Sequence, residues 1–258
     1  MKKILFLSFI GIALLSGCIS TKNLLPKSEA YKDFYEEKPV TVLIMPPINQ
    51  TANVDAKELF HTTLCTPISN AGYYVIPPFL SMEILKRESA YDSELFLDAP
   101  LTKFGELFGA DLVLFTIIHK WDKTKLLGKI SVEIEYIFKS VKTDEIVYQR
   151  KGDITVDPLS LNNAGNYLFK PISIIVDAAT TAYQANRNAR TDNAYVGSAC
   201  NNIMLGDLPA GPYSPLNGND GSFKTDTTDF KTELSGNAKN IQKQTKTWYS
   251  IYTKNKKK

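Results

Sequence analysis

Thr41-Val42-Leu43-Ile44-Met45-Pro46-Pro47 is an unbroken apolar run closed by two prolines. A run with no polar alternation suits a strand covered on both faces, as in a parallel or mixed sheet with helices packed against it. Working outward, Asp55 stands three residues before Glu58, the spacing of a helix start in which each side chain satisfies a free backbone N–H. From there Leu59, Phe60, Thr63, Leu64, Pro67, Ile68 and Ala71 fall on one broad helical face, with Pro67 expected to bend the helix and Gly72 to end it. Tyr73-Tyr74-Val75-Ile76, before Pro77 and Pro78, reads as the second strand of a βαβ unit.

Shorter helices fit 79–87 and 101–108, the latter stopped by Gly109. Asp111–Trp121 (DLVLFTIIHKW) is the most apolar strand candidate and is expected at the centre of the sheet. In 129–141, Val132, Ile134, Tyr136 and Phe138 alternate with Ser131, Glu133 and Glu135, so one face of that strand should be wet. A turn at 142–144 leads to a partner strand, 145–156. Helices are expected over 167–188 and 192–205. The predicted fold class is α/β (α+β): a βαβ unit plus an antiparallel strand pair in one mixed sheet, with helices packed on it.

The ends of the chain carry other information. Lys2 and Lys3 precede an apolar core that runs from Ile4 to Leu14, the pattern of a secretory signal and too short to span a bilayer. Leu15-Ser16-Gly17-Cys18 then resembles the lipobox of bacterial lipoproteins, with cleavage between Gly17 and Cys18 and acylation of Cys18. The expected organisation is a signal peptide (1–17), a flexible tether (18–39), an α/β periplasmic domain (40–206), and a Gly/Pro/Asn/Ser-rich linker with a basic tail (207–258). A tether of that size would span roughly 25 Å as a coil.

The full chain carries a formal net charge of +3. Loss of Lys2 and Lys3 brings it to +1, and the segment 241–258 holds six lysines and no acid, so the remaining mature body sums to −5. A mildly acidic body does not suit nucleic acid. The tail, with Trp248, Tyr249, Ile251 and Tyr252 among its lysines, suits an anionic surface or a partner protein, or else a solvated end. Cys65 and Cys200 would remain in a compartment that permits a disulfide, and either a bridge between them or two core thiols is compatible with the sequence.

Candidate chemistry is sparse. His61 and Cys65 lie one helical turn apart, but two ligands do not make a metal site, and no metal or other cofactor is expected. His119 ends the most apolar strand. Glu133 and Glu135 project from one strand face at roughly 6.5–7 Å, a spacing open to paired-carboxylate hydrolysis but shared by any wet strand face. No nucleophile elbow, P-loop, dinucleotide fingerprint or HExxH motif is present.

The segments MPPINQTANVDA (45–56), TPISNAGYYVIP (66–77), FGADLVLFTIIHKW (108–121), KTDEIVYQ (142–149) and LPAGPY (208–213) occur in this order. Together with the lipobox they resemble a family of Gram-negative lipoproteins of unassigned function whose best-known relative is a meningococcal surface-antigen candidate. The resemblance covers about residues 39–215. It implies a fold similar to the amino-terminal domain of TolB and to the periplasmic domains of CsgG and LpoB. It also implies a non-enzymatic accessory of envelope secretion or wall synthesis, anchored in the outer membrane by acylated Cys18. Its partners would be the lipid bilayer and envelope proteins, a CsgG-like lipoprotein among the candidates. Ile19 in place of aspartate favours the outer membrane, with surface exposure left open. The alternatives are a subunit of a CsgG-like export pore and an envelope hydrolase acting through Glu133 and Glu135 or His119.

Overall fold

The computed structural model describes residues 24–123, 130–156 and 189–234. Strand β1 (Leu25–Pro26) opens the described chain, followed by two short helices, α1 (Lys27–Ala30) and α2 (Lys32–Glu37). The βαβ unit is β2 (Thr41–Ile44), a short β3 (Ile48–Asn49), α3 (Val54–Asn70) and β4 (Tyr74–Val75). Helices α4 (Pro78–Arg87) and α5 (Thr102–Phe108) flank a 3₁₀ turn (Ser93–Phe96). Then come β5 (Leu112–Lys123), β6 (Ile130–Ser140), β7 (Ile146–Val156), α6 (Ala189–Met204), β8 (Lys224–Thr225) and β9 (Phe230–Leu234).

Seven strands form one mixed sheet in the order β4-β2-β5-β6-β7-β9, with β3 also on β5. β2 is parallel to β4 and to β5, β6 is antiparallel to both its neighbours, and β9 is parallel to β7. The most apolar run therefore does lie centrally. The βαβ unit and the antiparallel pair join through it, as the periodicities predict.

Alternation along the strands divides the core in two. Val42, Ile44, Leu112, Leu114, Val132, Ile134, Tyr136, Phe138, Tyr148 and Ile154 face a layer built from α3, α6, α1 and α2. Leu43, Met45, Val113, Phe115, Ile117 and Ile137 face the opposite layer, which holds Leu85 of α4 and Phe104 of α5. Among the described residues, this second layer does not reach the whole sheet. Along β6 the burial alternates from Ile130 to Tyr136 and becomes continuous from Ile137 to Ser140. The change marks where the covering helices stop.

Several expectations are corrected. The flexible tether does not extend to residue 39: α1 and α2 pack on the sheet, with Tyr31 and Phe34 buried, and Phe34 stacks edge-on against Tyr73 and Phe138. The domain does not end at 206, and 218–234 is not a loose linker. Leu208, Asp220 and Thr225 are buried, β8 pairs with β1, and β9 adds a strand to the sheet. Such segments score as linkers because few of their residues are apolar; here backbone pairing and buried charges hold them.

Helix α3 is capped two residues before Asp55, at Asn53, with no side-chain capping bond. Cys65 and Cys200 are both free, so the disulfide is not made. Cys65 Sγ lies 3.8 Å from Ser69 Oγ, and burial pushes the Cys200 thiol well above its ordinary pKa. The signal peptide, Gly17, Cys18, the helix expected at 167–188 and the basic tail lie outside the described residues. Among the described residues, no helix is long and apolar enough to cross a membrane.

Candidate binding face on the half-covered sheet

The stretch of sheet left bare by the second helix layer is where the sequence-predicted polar residues collect. β5 and β6 pair Ile118 with Ile134 and Lys120 with Glu133, so His119 is the extra residue of a β-bulge and has no partner across the ladder. Bulges re-aim a side chain, and this one directs His119 along the open face. Its Nδ1 is 2.9 Å from Gln50 Oε1, and its Nε2 is 2.9 Å from Glu135 Oε2. Gln149 Nε2 donates to the other Glu135 oxygen at 2.6 Å. Gln50 is held in turn by its own backbone N–H, which donates to Ile118 O at 3.0 Å. The result is a chain of four side chains, Gln50–His119–Glu135–Gln149, drawn from a loop and three strands.

One step along β6, Glu133 Oε1 is 2.6 Å from Lys151 Nζ, and on the outer strands Asp153 is 3.1 Å from Lys231 Nζ. The bond to Glu133 is the main cause that raises the Lys151 pKa above the usual lysine value. These groups are wet without being fully exposed: the His119 and Glu135 side chains retain 24% and 16% of their accessible surface. Glu133 and Glu135 do share a face, as their spacing predicts. Each, however, is engaged separately, one by a lysine and the other by a histidine and an amide. The relay contains no hydroxyl or thiol, and each carboxylate is already bound by neighbouring side chains, so the arrangement supplies orientation and hydrogen-bonding capacity.

The other candidates sit elsewhere. His61 is buried on α3, with a hydrogen bond to the Ile44 backbone and an Nε2 that has no protein partner; burial, before the neighbouring charge of Lys57, lowers its pKa. Cys65 turns to Ser69, so the two do not form a ligand pair. No group of three or more His, Cys, Asp or Glu is placed to hold a metal among the described residues.

Two features escaped the sequence reading. Gln149 and Lys151 were within reach of it: reflecting 145–156 across a turn centred on Thr143 puts Glu135 opposite Lys151, as observed. The second feature, a charged cluster on the covered face, carried no local signal. Asp207 is 3.2 Å from Lys27 Nζ and 2.9 Å from Arg150 Nη1, and it also accepts from Thr225 Oγ1. Asp220 accepts from Tyr35 OH at 2.9 Å and from Ala210 N–H at 2.8 Å. Lys27 also donates to Leu208 O at 3.1 Å.

Comparison with known proteins agrees with the family read from the motifs. Residues 29–206 match the family model described as "Putative lipoprotein GNA1162-like". A curated Neisseria meningitidis serogroup B protein, "Putative lipoprotein NMB1124/NMB1162", is 29% identical over 119 residues, which is 46% of this chain and 54% of that one. The match thus spans about half the length of the curated relative. Among solved structures, lipoprotein GNA1162 from Neisseria meningitidis is similar at 19% identity and a TM-score of 0.43, covering 57% of this chain and 99% of that one. The C-terminal domain of LpoB from Salmonella enterica is similar at 12% identity and a TM-score of 0.31, covering 50% of this chain and 94% of that one.

Proposed function

The chain belongs to the GNA1162-like lipoprotein family, and from that premise we propose that it is an outer-membrane lipoprotein acylated at Cys18 whose periplasmic domain is a binding accessory of an envelope complex. In this reading Gly17 ends the signal peptide and the diacylated, amino-acylated Cys18 begins the mature chain. Two or more acyl chains give stable anchoring where one gives only reversible binding, at about 0.8 kcal/mol per buried methylene. No catalytic step is assigned, and the complex is one of secretion or wall synthesis.

The observation that carries the binding role is the half of the sheet face that no described element covers. A face on which Gln50, His119, Glu135 and Gln149 orient one another, beside the Glu133–Lys151 and Asp153–Lys231 pairs, offers fixed donors and acceptors to a partner protein. Charges in such a pattern contribute specificity and association rate more than raw affinity. No observation favours the pore alternative: six residues join β5 to β6, fewer than the 9–11 of a single membrane-spanning strand. The hydrolase alternative would need Glu133 and Glu135 to act as a pair, and each is tied instead to its own separate partner.

Photo-crosslinkers at Gln149 and Lys151 in intact cells are expected to trap the same envelope protein, and one at exposed Leu107 on α5 is not. Capture of nothing from the open face, or the same protein from all three positions, would remove the assignment. Glu133→Gln, Glu135→Gln and His119→Gln are expected to weaken capture at the open face and complementation of a deletion phenotype together; a variant that keeps full capture yet loses complementation, with the fold intact, would reinstate the hydrolase. Cys18→Ala is expected to abolish palmitate labelling and release the protein from the membrane fraction.

A further inference from the structure

The packing of α1 and α2 changes the reach of the proposed anchor. Leu25 pairs with Thr225, the Lys27 N–H donates to Phe223 O at 2.8 Å, and the Ser28 N–H donates to Gly221 O at 3.0 Å. Leu25 is therefore part of the folded body, and only seven peptide steps separate it from Cys18. Fully stretched, they span at most about 25 Å, where a tether running to residue 39 would reach about 70 Å. If Cys18 carries the lipid, as the proposed function has it, the surface beside Leu25 is held at the bilayer.

That surface has a composition suited to lipid headgroups. The segment 210–223 runs from the edge of the sheet, where the Tyr213 N–H donates to Gly72 O at 3.0 Å, to its bond with Ser28. Tyr213 and Leu216 stand out from it with 71% and 42% of their surface exposed, and Leu25 is 38% exposed beside its far end. Its single acid, Asp220, is buried and bound by Tyr35 and Ala210, so the segment presents no carboxylate. Glu29 on α1 and Asp33 on α2 are exposed nearby, Glu36 is paired with Lys32, and Lys224 on β8 lies beside them in the β1–β8 pair. An amphipathic tyrosine with an apolar neighbour on backbone held at both ends is the usual equipment of an interfacial contact.

We infer that the domain lies on the bilayer through the surface formed by Leu25, Tyr213 and Leu216, with the half-covered sheet turned away from the membrane toward a partner. The first core layer, on the side of α1, α3 and α6, is then the membrane side. The opposite layer, including the 3₁₀ turn with exposed Leu95, points into the periplasm.

The test uses the full chain, processed in a lipoprotein-competent bacterial host and reconstituted into vesicles of phosphatidylethanolamine and phosphatidylglycerol bearing a radiolabelled fraction. Benzoylphenylalanine is placed singly at 213, 216 and 95, and intact mass first establishes whether Cys18 carries acyl chains. Lipid adducts are expected severalfold above those from 95 at both 213 and 216, and a long Gly-Ser spacer inserted between Asn23 and Leu24 is expected to lower them to the level of 95. Acylated protein whose adducts at 213 and 216 match those at 95, or whose adducts ignore the spacer, overturns the orientation alone. Protein adducts in place of lipid adducts at 216 overturn it in favour of a protein interface. An unmodified Cys18 overturns the anchoring reading beneath it.

Discussion

Arg150 and Lys151 are neighbours on β7 and both pair with a carboxylate, yet they live in different solvents. Arg150 points into the helix-covered face, where it and Asp207 each keep 2% of their side-chain surface; Lys151 points to the open face, where it and Glu133 keep about a third. The pleat alone sends them apart. On the covered side, the charges of Lys27, Arg150, Asp207 and Asp220 are withdrawn from water together. Their mutual bonds offset the loss of hydration, and removing one partner strands the rest. On the open side, water screens each pair, and loss of one partner is absorbed by solvent. The same kind of contact is thus a closure device on one face, joining the amino-terminal helix, the sheet and the loop after α6. On the other face it is a recognition surface.

Mutations should separate the two faces sharply. Asp207→Ala should give the largest effect, a loss on the order of 3–5 kcal/mol in denaturant unfolding, because Lys27 and Arg150 would be left buried without it. A loss below about 1 kcal/mol would mean that the cluster is hydrated and the contrast false.

Gly72→Ala comes next. Gly72 has φ +95°, and a Cβ there would overlap the Ser214 backbone. A Cβ on Gly211 would likewise overlap Gly72 O, and the Gly211 N–H donates to Ala71 O at 2.8 Å, so the motifs at 66–77 and 208–213 meet backbone to backbone. A loss on the order of 2–3 kcal/mol is expected from the strained φ and the displaced loop. A near-neutral melting temperature would show that the loop yields.

His61 on the covered side extends the contrast to pH. Burial lowers the His61 pKa, so the unfolded chain binds this proton more readily than the folded one. Its contribution is fully present above the unfolded value of about 6.5 and is lost as pH falls through the lower folded value. His61→Asn should therefore flatten the part of the stability–pH profile that falls below pH of about 6.5. An unchanged slope in His61→Asn would refute the assignment.

Lys151→Ala should do least, changing stability by about 0–1 kcal/mol, and the effect should shrink further in salt. Should it instead match Asp207→Ala, the two faces would not differ in kind.

The βαβ unit, the central β5 and the hairpin were legible because each is signalled within a dozen residues: an apolar run at 41–45, one helical face from Phe60 to Ile68, and alternation through 130–136. Glu133 and Glu135 were rightly put on one wet face, since period two requires it. Their partners were not named, although the turn at Thr143 contained the register. The amino-terminal helices and the segment 207–234 were misread as tether and linker because their stabilising partners are remote. Lys27 and Leu208 are 181 positions apart, and Ser28 and Gly221 are 193. The bulge at His119 left no trace in the pattern.

By itself the sequence determined the period of each element, the faces that would be apolar, and the family, because side-chain direction along a helix or strand follows from local backbone geometry. The tertiary structure decided that 25–37 and 207–234 belong to the body, which charges are sealed in and which stay wet, and that no described helix covers one half of one sheet face. Those outcomes depend on which distant segments exclude water from one another, and exclusion of water is a property of the assembled layers that no short window of residues contains.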